Sequence, residues 1–301
     1  MKKNIFKILS LIIVGTTVSS CLKDDSLVLD PAKGINVIEF VNTTDIAVHG
    51  SAIALYSHAY ELGPEVTLPV SVSYSGPEAV APNDITVNIG VADLAPITAY
   101  NTEQKTNYAL MPADNFTLSA TSVIIQKGKS KATFDVKFKP STFDLSKALV
   151  LPLKITSVSS GVVSGNFGTI LINAVAKNKY DGIYTATGSA VRGGDPVLTG
   201  AFPKQDWGLV TTGANSVQMD RNAQWGGGGG IGGIGGFKIA IDPVTNDITV
   251  TDGVNPVVKN NPAGVNKYTP ATRTIQISVF WGTGPTNRAW QATFIYKGPR
   301  P

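Results

Sequence analysis

The chain has 301 residues, with 25 Lys and Arg against 21 Asp and Glu and a formal charge of +4. Three of those lysines fall in the first 20 residues, which hold no acid; the remaining 281 residues carry 22 basic and 21 acidic groups, which removes the electrostatic case for a nucleic-acid partner. A single cysteine excludes an internal disulfide and a cysteine-rich metal site. Two domains are expected, because 281 residues exceed the usual size of one core. Charged residues make up 15% of the chain, against about 25% in an ordinary globular domain, and 31 glycines point to a β-rich protein with many turns.

Residues 1–20 read as a secretory signal: Lys2, Lys3 and Lys7 form a cationic start, Ile8 to Val14 a short apolar run, and small residues follow. The run is too short to span a bilayer, which needs roughly 20 apolar residues. Val18-Ser19-Ser20-Cys21 resembles the bacterial lipobox. That resemblance implies cleavage before Cys21 and attachment of diacylglycerol and a further acyl chain such as palmitate, anchoring the protein in the outer membrane. Each buried methylene contributes about 0.8 kcal/mol, so several chains on one residue hold firmly. An ordinary signal peptide with an incidental cysteine is the competing reading. Lys23-Asp24-Asp25 resembles the lysine-plus-acid export signal of surface lipoproteins of the Bacteroidota, implying an anchor that faces the cell exterior; a plain polar tether over 21–31 is the alternative.

Across 32–176, short alternating runs bounded by Gly, Pro, Asn or Asp predict strands near 36–40, 52–56, 66–74, 85–91, 116–126, 131–139, 148–155 and 169–175. Val66, Leu68, Val70 and Val72 fall on one face, with Thr67 and Ser71 opposite. Residues 98–107 are read as a short helix or a long connection. Closely spaced strands leave no room for crossover helices, which predicts a β-sandwich. Tyr108 to Pro112, the Lys127-Gly128 turn and Leu151 to Ser157 together resemble the immunoglobulin-like N-terminal domain of surface lipoproteins from gut Bacteroidota. The resemblance implies a structural module preceding varied C-terminal domains.

Lys177-Asn178-Lys179 forms a polar break. Beyond it, 180–301 is predicted as a second β-sandwich or barrel-like domain. Its opening YDGIYTATGSAV and its closing stretch around Trp281 and Trp290 resemble the C-terminal β domains of the same lipoproteins. The fold class is therefore all-β, two β-sandwich domains in series. Pro243 and Pro270, each followed two residues later by Thr, predict two hairpin turns. The glycine-rich stretch 226–236 formally contains GxGxxG at Gly228, Gly230 and Gly233. It lacks the strand, helix and later acid of a dinucleotide site, and reads as a flexible loop.

Catalytic and metal patterns are sparse. His49 and His58 both fall in the first domain, and no metalloprotease or serine-hydrolase motif occurs. The last glutamate is Glu103, so a hydrolase in the second domain would have to use aspartates alone. Asp242 and Asp247 read as turn residues rather than calcium ligands. No enzyme activity, cofactor or metal is expected.

All four tryptophans lie in the second domain. Alternation places Trp281 with Ile275, Ile277 and Val279, and Trp290 with Ala292 and Phe294, as core residues. Trp207 and Trp225 stand in turn-like contexts beside Asp206, Arg221, Asn222 and Gln224, which together suit sugar stacking and hydrogen bonding; an edge or packing role for the two tryptophans is the competing reading. The expected function is non-catalytic glycan capture at the cell surface. By resemblance it is accessory to polysaccharide uptake, with an outer-membrane transporter and other lipoproteins as partners. A structural or adhesive surface protein binding other proteins is the alternative, and a glycoside hydrolase comes third.

Overall fold

The computed structural model describes residues 34–300. The signal peptide, Cys21, the tether and the export signal Lys23, Asp24 and Asp25 lie outside the described residues.

The first half contributes strands β1 (Val37–Phe40), β2 (Ala54–Glu61), β3 (Val66–Ser75), β4 (Ile85–Val91), β5 (Ala109–Leu110), β6 (Phe116–Leu118), β7 (Ser122–Ile125), β8 (Lys131–Phe138), β9 (Leu149–Val158), β10 (Val162–Val163) and β11 (Thr169–Lys177), with one helix, α1 (Ala95–Gln104). They form two sheets, ordered β10-β1-β3-β8-β6 and β2-β11-β9-β4-β7, with β5 also paired to β9. Alternation sets the inner faces, as predicted for β3: Leu68, Val70 and Val72 are buried together with Phe134, Val136 and Phe138 of β8. Facing them are Val87, Ile89, Leu151, Leu153, Ile170 and Ile172.

Strands β9 and β11 break the alternation, with five consecutive buried residues each. The cause is α1, whose Ile97 and Tyr100 pack with Leu55, Val150 and Leu171 on the outer face of the second sheet. A sheet covered on both sides buries side chains on both faces, here all apolar except Asn173. The segment expected as a helix or connection begins at Ala95, three residues before the sequence reading, and carries a proline in its first turn.

The second half contributes β12 (Gly182–Arg192), β13 (Gly200–Ala201), β14 (Gln205–Gly213), β15 (Ser216–Met219), β16 (Lys238–Ile241), β17 (Ile248–Thr251), β18 (Lys259–Asn260), β19 (Lys267–Thr269), β20 (Thr274–Phe280) and β21 (Arg288–Gly298). All join one antiparallel sheet, ordered β17-β16-β15-β14-β12-β21-β20-β18, with β13 on β12 and β19 on β20. The sheet curls until its ends meet. Asn260 of β18 accepts a hydrogen bond from Val250 N–H (2.8 Å) and donates to the Ile248 carbonyl (2.5 Å) of β17. Tyr268 N–H also donates to the Asn246 carbonyl at 2.9 Å. The second half is thus barrel-like rather than two opposed sheets.

Inside that sheet lies an aromatic stack. Phe202, Trp207 and Trp290 lie nearly parallel, with ring centroids 5.3–5.7 Å apart, and Phe237 and Phe294 pack against them. Both proline-containing hairpins form, between β16 and β17 and between β19 and β20. Asn246 takes the left-handed backbone in the first (φ 62°), and Arg273 takes it in the second (φ 47°).

The polar break between the halves is tightly held. Asn178 is buried and donates to the carbonyls of Gly213 and Ser216, both at 2.8 Å. Asp181 accepts from Thr211 N–H (2.7 Å) and from Arg300 Nε (3.3 Å).

Candidate functional site

The tryptophan-centred cluster expected from sequence is brought together only in part. Trp207 is 0% exposed. Its indole lies inside the aromatic stack, with the Arg221 guanidinium 5.9 Å from the ring centroid, so neither face is open to a sugar ring. This corrects its reading as a ligand platform: strand alternation in β14 turns Trp207 and Leu209 inward, the same rule that placed Trp290 correctly. Trp225 is half-buried and packs on the core against Trp281 at 6.0 Å.

The polar members of that cluster serve the fold. Gln224 accepts a hydrogen bond from the Gln205 amide through its side chain, and its backbone carbonyl accepts from Trp290 Nε1 (3.0 Å). Arg221 donates to Gln205 Oε1 (3.0 Å) and pairs with Asp220. Asn222 is exposed. Asp206 points to the opposite face of β14, where the Lys297 ammonium and the Thr185 hydroxyl bind its carboxylate and hold it below the usual carboxylate range.

The glycine-rich stretch is a folded element rather than the loose loop expected. Ile231 and Ile234 are buried in the core of the barrel-like half. Gly226 N–H donates to the Leu198 carbonyl, Ile231 N–H to Ala223, and Gly235 N–H to the buried Asp252 carboxylate. A Cβ on Gly236 would lie 2.3 Å from the Met219 carbonyl oxygen, so there the backbone approach itself requires glycine. The signal was present in the sequence: two isoleucines three residues apart, then Phe237, anchor the glycines between them.

A different surface gathers polar groups. On the outer face of β12, β21 and β20, register aligns Thr187, Thr293 and Gln276 in one row, and Ser189, Gln291 and Ser278 in the next. These residues line two adjoining depressions of about 310 and 160 Å³ that share Ser278 and Gln291. Val265 rises beside the first and Asn261 beside the second, both from the connection between β18 and β19. Gln291 donates to Ser189 Oγ at 3.0 Å. The side chains of Gln276, Thr187 and Thr293 form no hydrogen bond with another described residue. No ionisable side chain lines either depression.

Such a face can exchange hydrogen bonds with a hydroxylated ligand; its lining offers hydroxyls and carboxamides with no carboxylate, imidazole, amine or thiol among them. Sequence reasoning missed it because it sought aromatics. The available signal was the polar half of the alternation in TIQIS and WQATF, set aside once the apolar half had been assigned to the core. Among the described residues no group of three or more His, Cys, Asp or Glu side chains could hold a metal ion. His58 bonds Thr43 Oγ1 (3.0 Å) and stacks on Tyr60. Asp242 accepts the amides of Val244 and Thr245, both at 2.8 Å, as a turn residue does.

A family model described as "-like, N-terminal domain" matches residues 44–162. No curated protein gives a significant match. Among solved structures, a protein of unknown function from Bacteroides ovatus is similar with a TM-score of 0.58 at 14% identity, covering 88% of this chain and 95% of that one. A second B. ovatus protein of unknown function gives 0.51 at 16%, covering 86% and 93%. An auxiliary nutrient binding protein from Bacteroides thetaiotaomicron gives 0.48 at 16%, covering 80% and 90%. At these identities the likeness to the two B. ovatus proteins is one of fold, and it runs over most of both chains.

Proposed function

We propose that this protein is a lipid-anchored, outward-facing outer-membrane lipoprotein that captures glycans without catalysis, through the outer face of its barrel-like half. The observation that carries the reading is the paired rows Thr187–Thr293–Gln276 and Ser189–Gln291–Ser278, which present hydroxyl and amide groups in a concave surface with unused hydrogen-bonding capacity. The lipobox at Cys21 and the Lys23-Asp24-Asp25 tether support placement at the cell surface, where capture raises the local concentration of a polymer near a transporter. No aromatic side chain lies open in the depressions, so binding rests on hydrogen bonds, each contributing about 0.5–1.5 kcal/mol net. Affinity is therefore modest and gains from a polymer that offers many equivalent sites.

Glycan-array and affinity-gel measurements on a secreted form starting at residue 22 test this reading. Retention on at least one polysaccharide, lost in a Gln276→Ala/Gln291→Ala variant that keeps its thermal transition, is the expected result. Uniform silence, or release of reducing sugar by the purified protein, would contradict it. Placement is checked separately: labelled palmitate incorporates into the full chain and not into its Cys21→Ser variant, and intact cells expose the protein to added protease.

A further inference from the structure

The lining of the outer-face groove also sets the charge of what it takes. We infer that the groove selects uncharged glycans and rejects their carboxylated or sulfated counterparts; the inference rests on the capture reading above. Every side chain in the two rows is a hydroxyl or a carboxamide, and the walls are Val265, Val191, Pro285 and Asn261. A carboxylate brought here loses hydration and meets no cation within the lining to replace it, a cost that hydroxyls of a neutral sugar avoid by exchanging one hydrogen bond for another.

Charged side chains on the same sheet stand outside the lining. Lys267 lies opposite Gln276 in the ladder, but its ammonium is held by Asp247 at 2.8 Å. Lys297 is likewise bound to Asp206 on the β14 side. Each pair is internally neutral, so the charges flank the groove without creating a positive field inside it. Lys259 stands opposite Phe280, one row beyond Ser278, outside the lining. Gln276 and Gln291 are the specificity-determining side chains. A carboxamide both donates and accepts, so it matches a hydroxyl in either role, whereas a carboxylate, which only accepts, can use its N–H donors alone and gains no countercharge.

The test uses the secreted form from residue 22 and pairs of hexasaccharides, each neutral oligomer set against its own 6-carboxylate derivative, with binding followed calorimetrically. The neutral member is expected to bind at least about tenfold tighter, and Gln276→Ala to weaken it about fivefold. Gln276→Lys adds a cation to the lining and should move the preference toward the carboxylate by about tenfold. Equal or tighter binding of the carboxylated member by the unaltered protein overturns the selectivity while leaving capture standing. Binding of neutral sugars that ignores both glutamine variants overturns the groove as the selecting surface. Silence with every hexasaccharide and every polysaccharide overturns both.

Discussion

Trp207 shows how a residue type can mislead when its neighbours are read before its register. Acid, Gln and Lys surround it in sequence, yet in space it touches Phe202, Trp290 and Phe294. Trp207→Ala should therefore act on stability, by about 3–5 kcal/mol in chemical denaturation, and should leave the variant's remaining folded fraction able to bind glycan. The first half carries a second residue-scale signature. Burial pushes the Tyr56 hydroxyl up to about 12, with Glu39 adding to the shift, and burial does the same to Tyr60. A raised tyrosine pKa means the folded state holds the neutral phenol. The stability this represents is complete below the ordinary value near 10 and is lost as pH rises through about 12. A phenolate absorbance titration should show a late group of tyrosines whose ionisation coincides with loss of native circular dichroism. Ionisation of all nine tyrosines near their ordinary value, with the fold intact, would contradict it.

At the scale of elements, legibility followed periodicity. Strands such as β3 and β4 were readable because each offered one buried face in alternation with a less buried one. Two features escaped that pattern. The unbroken buried runs of β9 and β11 depend on α1 covering the outer face of their sheet, a fact of tertiary packing. The glycine-rich stretch depends on where Ile231 and Ile234 find partners, which glycine content alone does not reveal. That stretch gives a paired prediction. Gly236→Ala forces a Cβ to 2.3 Å from the Met219 carbonyl and should cost more than about 1 kcal/mol, while Gly229, with nothing within 4 Å, should accept Ala at no cost or gain up to about 1 kcal/mol. Equal thermal transitions for the two variants would mean the stretch is not packed as described. One side chain, Asn260, contributes two of the hydrogen bonds that close the sheet between β17 and β18. Asn260→Ala leaves the Val250 N–H without its partner and should cost about 1–3 kcal/mol, with faster amide exchange confined to β17 and β18.

Over the whole molecule, the all-β class was legible from composition and turn spacing, and the proposed binding surface was not. Core and surface are two halves of one alternation, and attention to Trp281 and Trp290 obscured the polar residues between them. The connection between the halves is held against the second half by buried polar contacts of Asn178 and Asp181 with Gly213, Ser216 and Thr211. The account stands or falls on where a sugar sits. Hydrogen–deuterium exchange on the secreted form, with and without a saturating neutral hexasaccharide from the panel, tests this most directly. Protection should appear in 187–191, 261–265, 276–278 and 289–293 and leave the Trp207 and Trp225 segments unchanged. Protection centred on 221–236, or on the first half, would contradict it.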